Sequence, residues 1–230
     1  MGQRIVIIGA GIIGAAAAFR LQQAGHEITL IEAGAPGGGA TGRSFGWINA
    51  SFHHDAAHFA LRAEGIAAWR RLSLPGVSWP GCLWFEEEGD AFTSFRNHLT
   101  ELDYPVKKLD RDAVAALEPA LAAPPARALR FPTEGVAEAA QVAAELLARA
   151  VDLGARVLAG IGVQAIAEGA GCVTGVVTDA GVIGADTVLV CAGTATPGLV
   201  GPLDVRLPML ERPGLLLTTQ ALPPLLSHIL

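Results

Sequence analysis

Three glycines and one glutamate near the start of the chain have the spacing of a nucleotide-binding site. Gly9, Gly11 and Gly14 follow one apolar run, and a second apolar run ends in Glu32. Gly9 allows a tight turn, Gly11 lets a pyrophosphate approach the backbone, and Gly14 lets a helix pack close to a strand. The helix N-terminus then offers N–H groups and a partial positive charge to phosphates. The pattern predicts binding of a dinucleotide.

The acid at the end of the second run narrows the choice of dinucleotide. A carboxylate at Glu32 would accept hydrogen bonds from a ribose diol and repel a 2′-phosphate, which favours FAD or NAD over NADP. A glycine triplet alone is a weak signal in a chain with 28 glycines. The flanking strands, the helix and the acid favour a dinucleotide site over the alternative, a plain β-α-β unit without a ligand.

The elements that position these residues follow from apolar patterning. The run at 5–8 is apolar throughout and the run at 28–31 is apolar except for Thr29, which is typical of strands buried on both faces, and the Ala-rich segment between them suits a helix. Further helices are expected over 56–72, 91–102, 111–117 and 139–153. Short strands are expected at 83–85 and 128–131, an antiparallel meander over 163–167, 173–178 and 181–183, and a buried strand from Asp186 that ends at Ala192 and Gly193.

A glycine-rich loop follows the second strand, from Gly34 to Gly46. One interpretation is a mobile linker. The other is a loop that needs a ligand to order it and that wraps a cofactor with its backbone and the hydroxyls of Thr41 or Ser44.

Composition excludes several classes of protein. The chain has 230 residues, 51% hydrophobic and 17% charged, which suffices for a sizeable core. A formal net charge of −6 gives no electrostatic footprint for nucleic acid. The longest uncharged apolar stretch, 5–19, is broken by glycines and too short to span a bilayer, so no integral membrane segment is expected.

The three cysteines, Cys82, Cys172 and Cys191, lie far apart and lack metal-ligand spacing, so no metal site is expected. An odd number of cysteines without a signal peptide indicates the reducing cytoplasm. Cys191 lies in an apolar run and is interpreted as a small buried hydrophobic residue.

The chain resembles the FAD-dependent D-amino acid oxidase superfamily, which includes glycine oxidase, sarcosine oxidase and D-amino acid dehydrogenase. The resemblance rests on G-A-G-I-I-G, Glu32, G-A-T-G-R-S-F-G-W-I-N-A and D-T-V-L-V-C-A-G-T-A-T-P, and it extends from Ile5 to about Gln220. It implies an α/β architecture: a Rossmann-like, glutathione-reductase-like FAD-binding domain interleaved with an α+β substrate domain.

The resemblance also implies which residues contact FAD. With the glycine turn and the loop, the predicted cofactor set is Gly9, Gly11, Ile12, Ile13, Gly14, Glu32, Ala33, Ala40, Thr41, Arg43, Ser44, Phe45, Gly46, Trp47, Val163 and Gly193.

One position departs from a branch of the family. The sarcosine and dimethylglycine dehydrogenases carry a histidine a few residues before the loop glycine, linked covalently to FAD, and Arg43 occupies that place here. Non-covalent FAD is therefore predicted, unless His53 or His54 substitutes. Arg43 could pair with a phosphate or a substrate carboxylate, or remain solvated.

The domain assignment from sequence is a first FAD-binding part over 1–80, a first substrate part over 81–134, a second FAD-binding part over 135–200 and the start of a second substrate segment over 201–230. Family members continue beyond the stretch that resembles P-M-L-E-R-P-G-L-L-L-T-T-Q. An incomplete substrate domain is therefore expected, from a fragment or a truncated gene, and the chain alone is expected to lack a complete active site.

The function predicted from these features is FAD-dependent oxidation of the C–N bond of an amino acid or secondary amine, by hydride transfer to flavin N5. This chemistry depends on geometry rather than on an obligatory acid–base pair, so no catalytic residue is assigned. His53 and His54 could face a substrate cavity, and Tyr104, the only tyrosine, is expected on a surface connection.

Two alternatives stay open. A different FAD or NAD enzyme could share the nucleotide domain, although no second G-x-G-x-x-G is present. A non-catalytic flavoprotein subunit of a hetero-oligomeric dehydrogenase, or an inactive fragment, would bind the cofactor without turnover. The expected partners are a small amino acid or amine, an electron acceptor and possible partner subunits.

Overall fold

The computed structural model describes residues 2–210, 212 and 214–230. Glu211 and Pro213, in the P-M-L-E-R-P-G stretch of the resemblance, lie outside the described residues. The strands are β1 (Arg4–Ile8), β2 (Glu27–Glu32), β3 (Trp47–Ile48), β4 (Val77–Ser78), β5 (Cys82–Trp84), β6 (Lys107–Asp110), β7 (Arg127–Phe131), β8 (Gly135–Ala137), β9 (Arg156–Ala159), β10 (Val163–Gly169), β11 (Cys172–Thr178), β12 (Gly181–Gly184) and β13 (Thr187–Val190). The helices are α1 (Ile12–Gln23), α2 (Ala56–Leu72), α3 (Gly89–Glu101), α4 (Arg111–Leu117), α5 (Ala139–Asp152) and α6 (Thr196–Val200).

The chain divides into two compact units, each made of two stretches. The first unit comprises Met1–Ser44 and Glu138–Leu216, and the second comprises Phe45–Ala137 and Leu217–Leu230. The first division therefore lies after Ser44, whereas the sequence suggested a boundary at residue 80. The physical reason is strand pairing, because Trp47 pairs with Val136 and Val77 pairs with Ala137, which ties both segments to the second unit.

A parallel sheet organises the first unit. Its strand order is β13-β1-β2-β9, so β1 is flanked by β13 and β2. Four of the five residues of β1 are buried, as a strand covered on both faces requires. The predicted meander β10-β11-β12 forms an antiparallel sheet, and Val176 from it packs with Val6, Ile8 and Ile31. Helix α1 packs against α5.

Two small antiparallel sheets, β3-β8-β4 and β5-β7-β6, form the second unit with α2, α3 and α4. The side chains of Asp55 and Asp110 accept backbone N–H groups at the starts of α2 and α4. Aromatic rings from several elements pack together, namely Phe52, Trp84, Phe92, Phe95, Tyr104 and Phe131.

The last residues of the chain are held on the second unit. The N–H of Leu83 donates to the carbonyl of Ile229 at 2.8 Å. The buried carboxylate of Glu118 accepts the N–H of Ser227 at 2.9 Å and lies 2.7 Å from Nδ1 of His228. Ile229 also forms an isolated parallel β-bridge with Cys82 in β5.

A buried carboxylate joins three parts of the second unit. Oε2 of Glu134 accepts the indole N–H of Trp47 at 2.8 Å, and Oε1 accepts the Tyr104 hydroxyl at 2.9 Å and the Ser51 N–H at 3.4 Å. Burial raises the pKa of Glu134 against the opposing effect of these hydrogen bonds. The expected surface position of Tyr104 is wrong, because its side chain is buried and its hydroxyl is bound to this carboxylate.

Among the described residues, no helix has both the length and the apolar character needed to cross a membrane.

Replacing Glu134 with alanine should destabilise the second unit. Glu134→Ala leaves three donors without their acceptor in a buried place, so the free energy of unfolding should fall by about 3 kcal/mol. All four tryptophans, Trp47, Trp69, Trp79 and Trp84, lie in the second unit, so urea unfolding followed by tryptophan fluorescence reports on it selectively. Glu87→Ala, at an exposed position, is the matched control. Equal unfolding midpoints for the two variants would contradict the role of Glu134.

Candidate functional site

The glycine turn brings three backbone segments of the first unit close together. Gly9 has φ of +104°, a conformation that L side chains rarely adopt, and a Cβ there would overlap the carbonyl of Cys191. A Cβ at Gly14 would overlap the carbonyl oxygen of Gly9. Helix α1 can therefore begin directly against the ends of β1 and β13, as the glycine spacing predicted.

This close packing leaves backbone donors at the N-terminus of α1. The Ile12 N–H donates to the Thr41 hydroxyl oxygen at 2.9 Å. Within residues 2–210, 212 and 214–230, the N–H groups of Gly11, Ile13 and Gly14 have no hydrogen-bond acceptor. Unpaired N–H groups at a helix N-terminus, where the helix dipole is positive, suit phosphate oxygens.

The carboxylate of Glu32 is held rigidly beside this turn. Its Oε2 accepts the N–H of Ala10, and its Oε1 accepts the N–H of Gly34, both at 2.8 Å. A carboxylate has about four acceptor positions, so these two bonds leave about two for further donors. The side chain is thus oriented by the protein and keeps capacity for the hydroxyls of a ribose.

The glycine-rich loop makes several hydrogen bonds within the first unit. The N–H of Gly37 donates to the carbonyl of Ala10 at 3.0 Å. The guanidinium of Arg43 donates to the carbonyls of Gly38 at 2.8 Å and Gly39 at 3.1 Å. Arg43 therefore braces the loop, and its side chain lines neither of the cavities described next.

Two cavities adjoin the glycine turn. The first has a volume of about 450 Å³ and is lined by the turn, the glycine-rich loop and residues 191–194. The second has a volume of about 410 Å³ and lies toward β10 and α6. They share Gly9, Glu32 and Ala192. Volumes of this size are typical of small-molecule and cofactor sites.

Most of the predicted cofactor residues of the first unit line these cavities. The first cavity is lined by Gly9, Gly11, Ile12, Ile13, Glu32, Ala40, Thr41, Ser44 and Gly193, and the second by Gly9, Glu32, Ala33 and Val163. Gly14 is buried behind the turn. Cys191 also lines the first cavity just after β13 ends, and burial raises the pKa of its thiol.

Three further predicted residues belong to the second unit. Phe45 is 65% exposed. Gly46 has φ of +70°, and its carbonyl accepts the N–H of Ala137 at 2.9 Å. Trp47 donates to Glu134, as described above.

The second unit contains a separate cavity of about 450 Å³, and it brings His53 and His54 together with Arg62 and His98. Sequence reasoning named the two neighbouring histidines but missed Arg62 and His98, which lie on α2 and α3. It also missed Glu134. An arginine or glutamate within a segment of mixed polarity carries no local signal of burial, so only the tertiary structure reveals these partners. Among the described residues, no group of three or more His, Cys, Asp or Glu could hold a metal ion.

The first unit provides the groups that a dinucleotide requires. Unpaired N–H groups suit a pyrophosphate, and an oriented carboxylate with spare acceptor capacity suits a ribose diol. The glycine turn has no side chain that would fill the approach to these N–H groups. The residues present are therefore compatible with FAD.

Comparison with known proteins points to the same cofactor. The profile of the family described as FAD dependent oxidoreductase matches residues 4–229. The chain is similar to a D-amino acid dehydrogenase of Cereibacter sphaeroides, with 27% identity over 94% of this chain and 64% of that protein. It is also similar to a glycine oxidase of Pseudomonas aeruginosa, with 28% identity over 93% of this chain and 62% of that protein.

A solved structure agrees with the fold. The glycine oxidase of Geobacillus kaustophilus superposes with a TM-score of 0.81 and 25% identity over 89% of this chain and 60% of that chain. The chain thus spans less than two thirds of the length of these three proteins. The family profile covers nearly the whole chain, and the chain belongs to the family of FAD-dependent oxidoreductases.

Proposed function

We propose that this chain binds FAD non-covalently and supplies the FAD site of an enzyme that oxidises the C–N bond of an amino acid or secondary amine. The observation that carries the proposal is the arrangement around the glycine turn, where unpaired N–H groups of α1 lie next to the oriented carboxylate of Glu32. The names of the relatives, D-amino acid dehydrogenase and glycine oxidase, support an amino acid as the substrate.

Each part of the first unit has a defined task in this proposal. The N–H groups of Gly11 and Ile13, which line the first cavity, bind the phosphates, and Glu32 accepts hydrogen bonds from the adenosine ribose. The Thr41 hydroxyl accepts the Ile12 N–H and retains its own proton to donate to the cofactor. Arg43 keeps the glycine loop in place. The FAD, when bound, supplies the hydride acceptor at its N5 position.

The proposal assigns no acid–base residue, because orientation of the substrate C–H bond is the main requirement of this chemistry. The protein contributes by holding the cofactor in a fixed position. The cytoplasmic location stays a prediction from the cysteine content of the sequence.

The direct test is the visible absorption spectrum of the purified chain, before and after a mixture of amino acids and N-methylated amines is added without oxygen. A flavin spectrum that bleaches on addition supports the proposed oxidation. Bound flavin that does not bleach would support the alternative of a non-catalytic flavoprotein chain. A chain that binds no FAD even at excess would contradict the proposed site.

Changing Glu32 to glutamine should weaken FAD binding. The amide of Glu32→Gln has one acceptor oxygen instead of two. It therefore cannot accept the N–H groups of both Ala10 and Gly34 and also accept hydrogen bonds from the ribose diol. Loss of a charged hydrogen-bond acceptor corresponds to about 2 kcal/mol, or about thirtyfold in Kd. Titration of flavin fluorescence measures the change. Glu27→Gln, an exposed residue at the other end of β2, is the matched control, and equal Kd values for the two variants would refute the role of Glu32.

The flavin should separate from the protein on acid denaturation. Arg43 stands where one branch of the family carries the covalently linked histidine, and a guanidinium has no acceptor nitrogen to attack the flavin. Trichloroacetic acid precipitation should therefore leave the yellow colour in the supernatant. Colour that stays with the precipitate would indicate a covalent link, and replacement of His53 or His54 by glutamine would then show which side chain carries it.

A further inference from the structure

The second unit contains a cavity lined by both polar groups and aromatic rings. The cavity has a volume of about 450 Å³ and lies among the loop before α2, α2 itself and α3. Phe52 and Phe95 supply the aromatic rings, with ring centroids 5.3 Å apart. Arg62 and histidines supply the polar groups, and among the described residues no acidic side chain lines the cavity.

Arg62 is a fixed cation without a carboxylate partner. Its Nε donates to the backbone carbonyl of Asn49 at 3.0 Å, and its Nη2 donates to the side-chain oxygen of Asn49 at 2.7 Å. The two bonds fix the plane of the guanidinium. Within residues 2–210, 212 and 214–230, no Asp or Glu lies within salt-bridge distance of Arg62. A half-buried cation is stabilised by an anion, which the protein itself does not provide here.

His58 adds a second donor beside this guanidinium. Its Nδ1 accepts the backbone N–H of His54 at 3.2 Å, so in the neutral ring the proton resides on Nε2. Nε2 of His58 lies 3.4 Å from Nη1 of Arg62. Both atoms then carry hydrogens, and neither accepts from the other. An oxygen of an anion placed between them would accept from both.

His53 and His98 form a hydrogen bond with each other, so Arg62 and His58 are the groups left to bind an anion. Nδ1 of His53 lies 3.1 Å from the carbonyl of Ala50 and must donate to it. Nε2 of His53 then accepts from Nε2 of His98 at 2.9 Å. Asp55 is the acid next to the cavity at the start of α2, and its Oδ1 accepts the His58 backbone N–H at 2.8 Å, so it serves as the helix cap.

We propose that this cavity binds the carboxylate of an amino acid at Arg62 and His58 and its apolar or aromatic side chain against Phe52 and Phe95. The inference rests on the proposed function and deepens it, because it names the substrate class as amino acids with apolar or aromatic side chains. A planar guanidinium and a neighbouring N–H match the two oxygens of a carboxylate, and two aromatic rings match an apolar body.

The test uses 3-phenylpropanoate, a carboxylate that has no amine to oxidise, and its uncharged amide 3-phenylpropanamide. Isothermal titration calorimetry of each with the purified chain, with and without FAD, measures the two affinities. The carboxylate should bind about tenfold more tightly than the amide. Equal affinities, or no saturable binding of the carboxylate, would overturn the inference, and this comparison needs no variant.

Variants then locate the site. Arg62→Gln should reduce carboxylate affinity about tenfold and abolish the preference over the amide, and His58→Leu should reduce affinity about threefold. Arg71→Gln, on the same helix with its guanidinium paired to the exposed Glu64, is the matched control and should leave affinity unchanged. Far-UV circular dichroism checks that each variant is folded. An unchanged affinity in both folded variants would overturn the assignment.

The two proposals fail in different ways. If the chain binds no FAD but still distinguishes the carboxylate from its amide through Arg62, the proposed function fails and the cavity assignment stands. If amino acids bleach a bound flavin but the Arg62-dependent preference is absent, the proposed function stands and the cavity assignment fails.

Discussion

The first unit depends on one steric constraint, the close approach of backbone at the end of β1. Gly9, Gly14 and Cys191 come so near that a side chain at either glycine would overlap a carbonyl oxygen. Helix α1 therefore starts immediately after the strand, and its first N–H groups point to one place. The carboxylate of Glu32 is tied to the same place by the N–H groups of Ala10 and Gly34. The close backbone approach at the glycine turn thus determines both the packing of α1 against the sheet and the position of the groups that can bind a ligand.

Sequence reasoning succeeded where the determinants are local. The helix over Ala56–Leu72 has a capping aspartate and helical spacing, and the helix over Arg111–Leu117 begins after another capping aspartate. The parallel strands around the glycine turn and the antiparallel meander were also predicted, because apolar runs and turn glycines encode them. Most element ends shifted by one or two residues, as for α3, which begins at Gly89. Strand β13 differs more, because it ends at Val190, before the predicted end at Ala192 and Gly193, and it is half-buried rather than buried.

Long-range pairing is what the sequence did not reveal. Trp47 pairs with Val136, nearly ninety positions away, and this pairing assigns the segment after Ser44 to the second unit. Tyr104 was expected at the surface because L-D-Y-P-V is typical of a connection between elements, yet its hydroxyl donates to Glu134. The bonds between Arg62 and Asn49 cannot be predicted from spacing alone, since they require both the helix and the preceding loop to be in place. Buried polar contacts of this kind form only when distant segments meet.

The glycine-rich loop differs from what its composition indicates. Its glycines indicate flexibility, whereas the guanidinium of Arg43 donates to the carbonyls of Gly38 and Gly39.

Phosphate binding at the glycine turn is tested most sharply by titrating the ¹⁵N-labelled chain with FAD and following the amide chemical shifts. We expect saturable shifts at Gly11, Ile13 and Gly14, together with shifts at Ala10 and Gly34, which bind Glu32. Saturable FAD binding that leaves the amides of the glycine turn unchanged would refute this assignment, because the phosphates would then lie elsewhere.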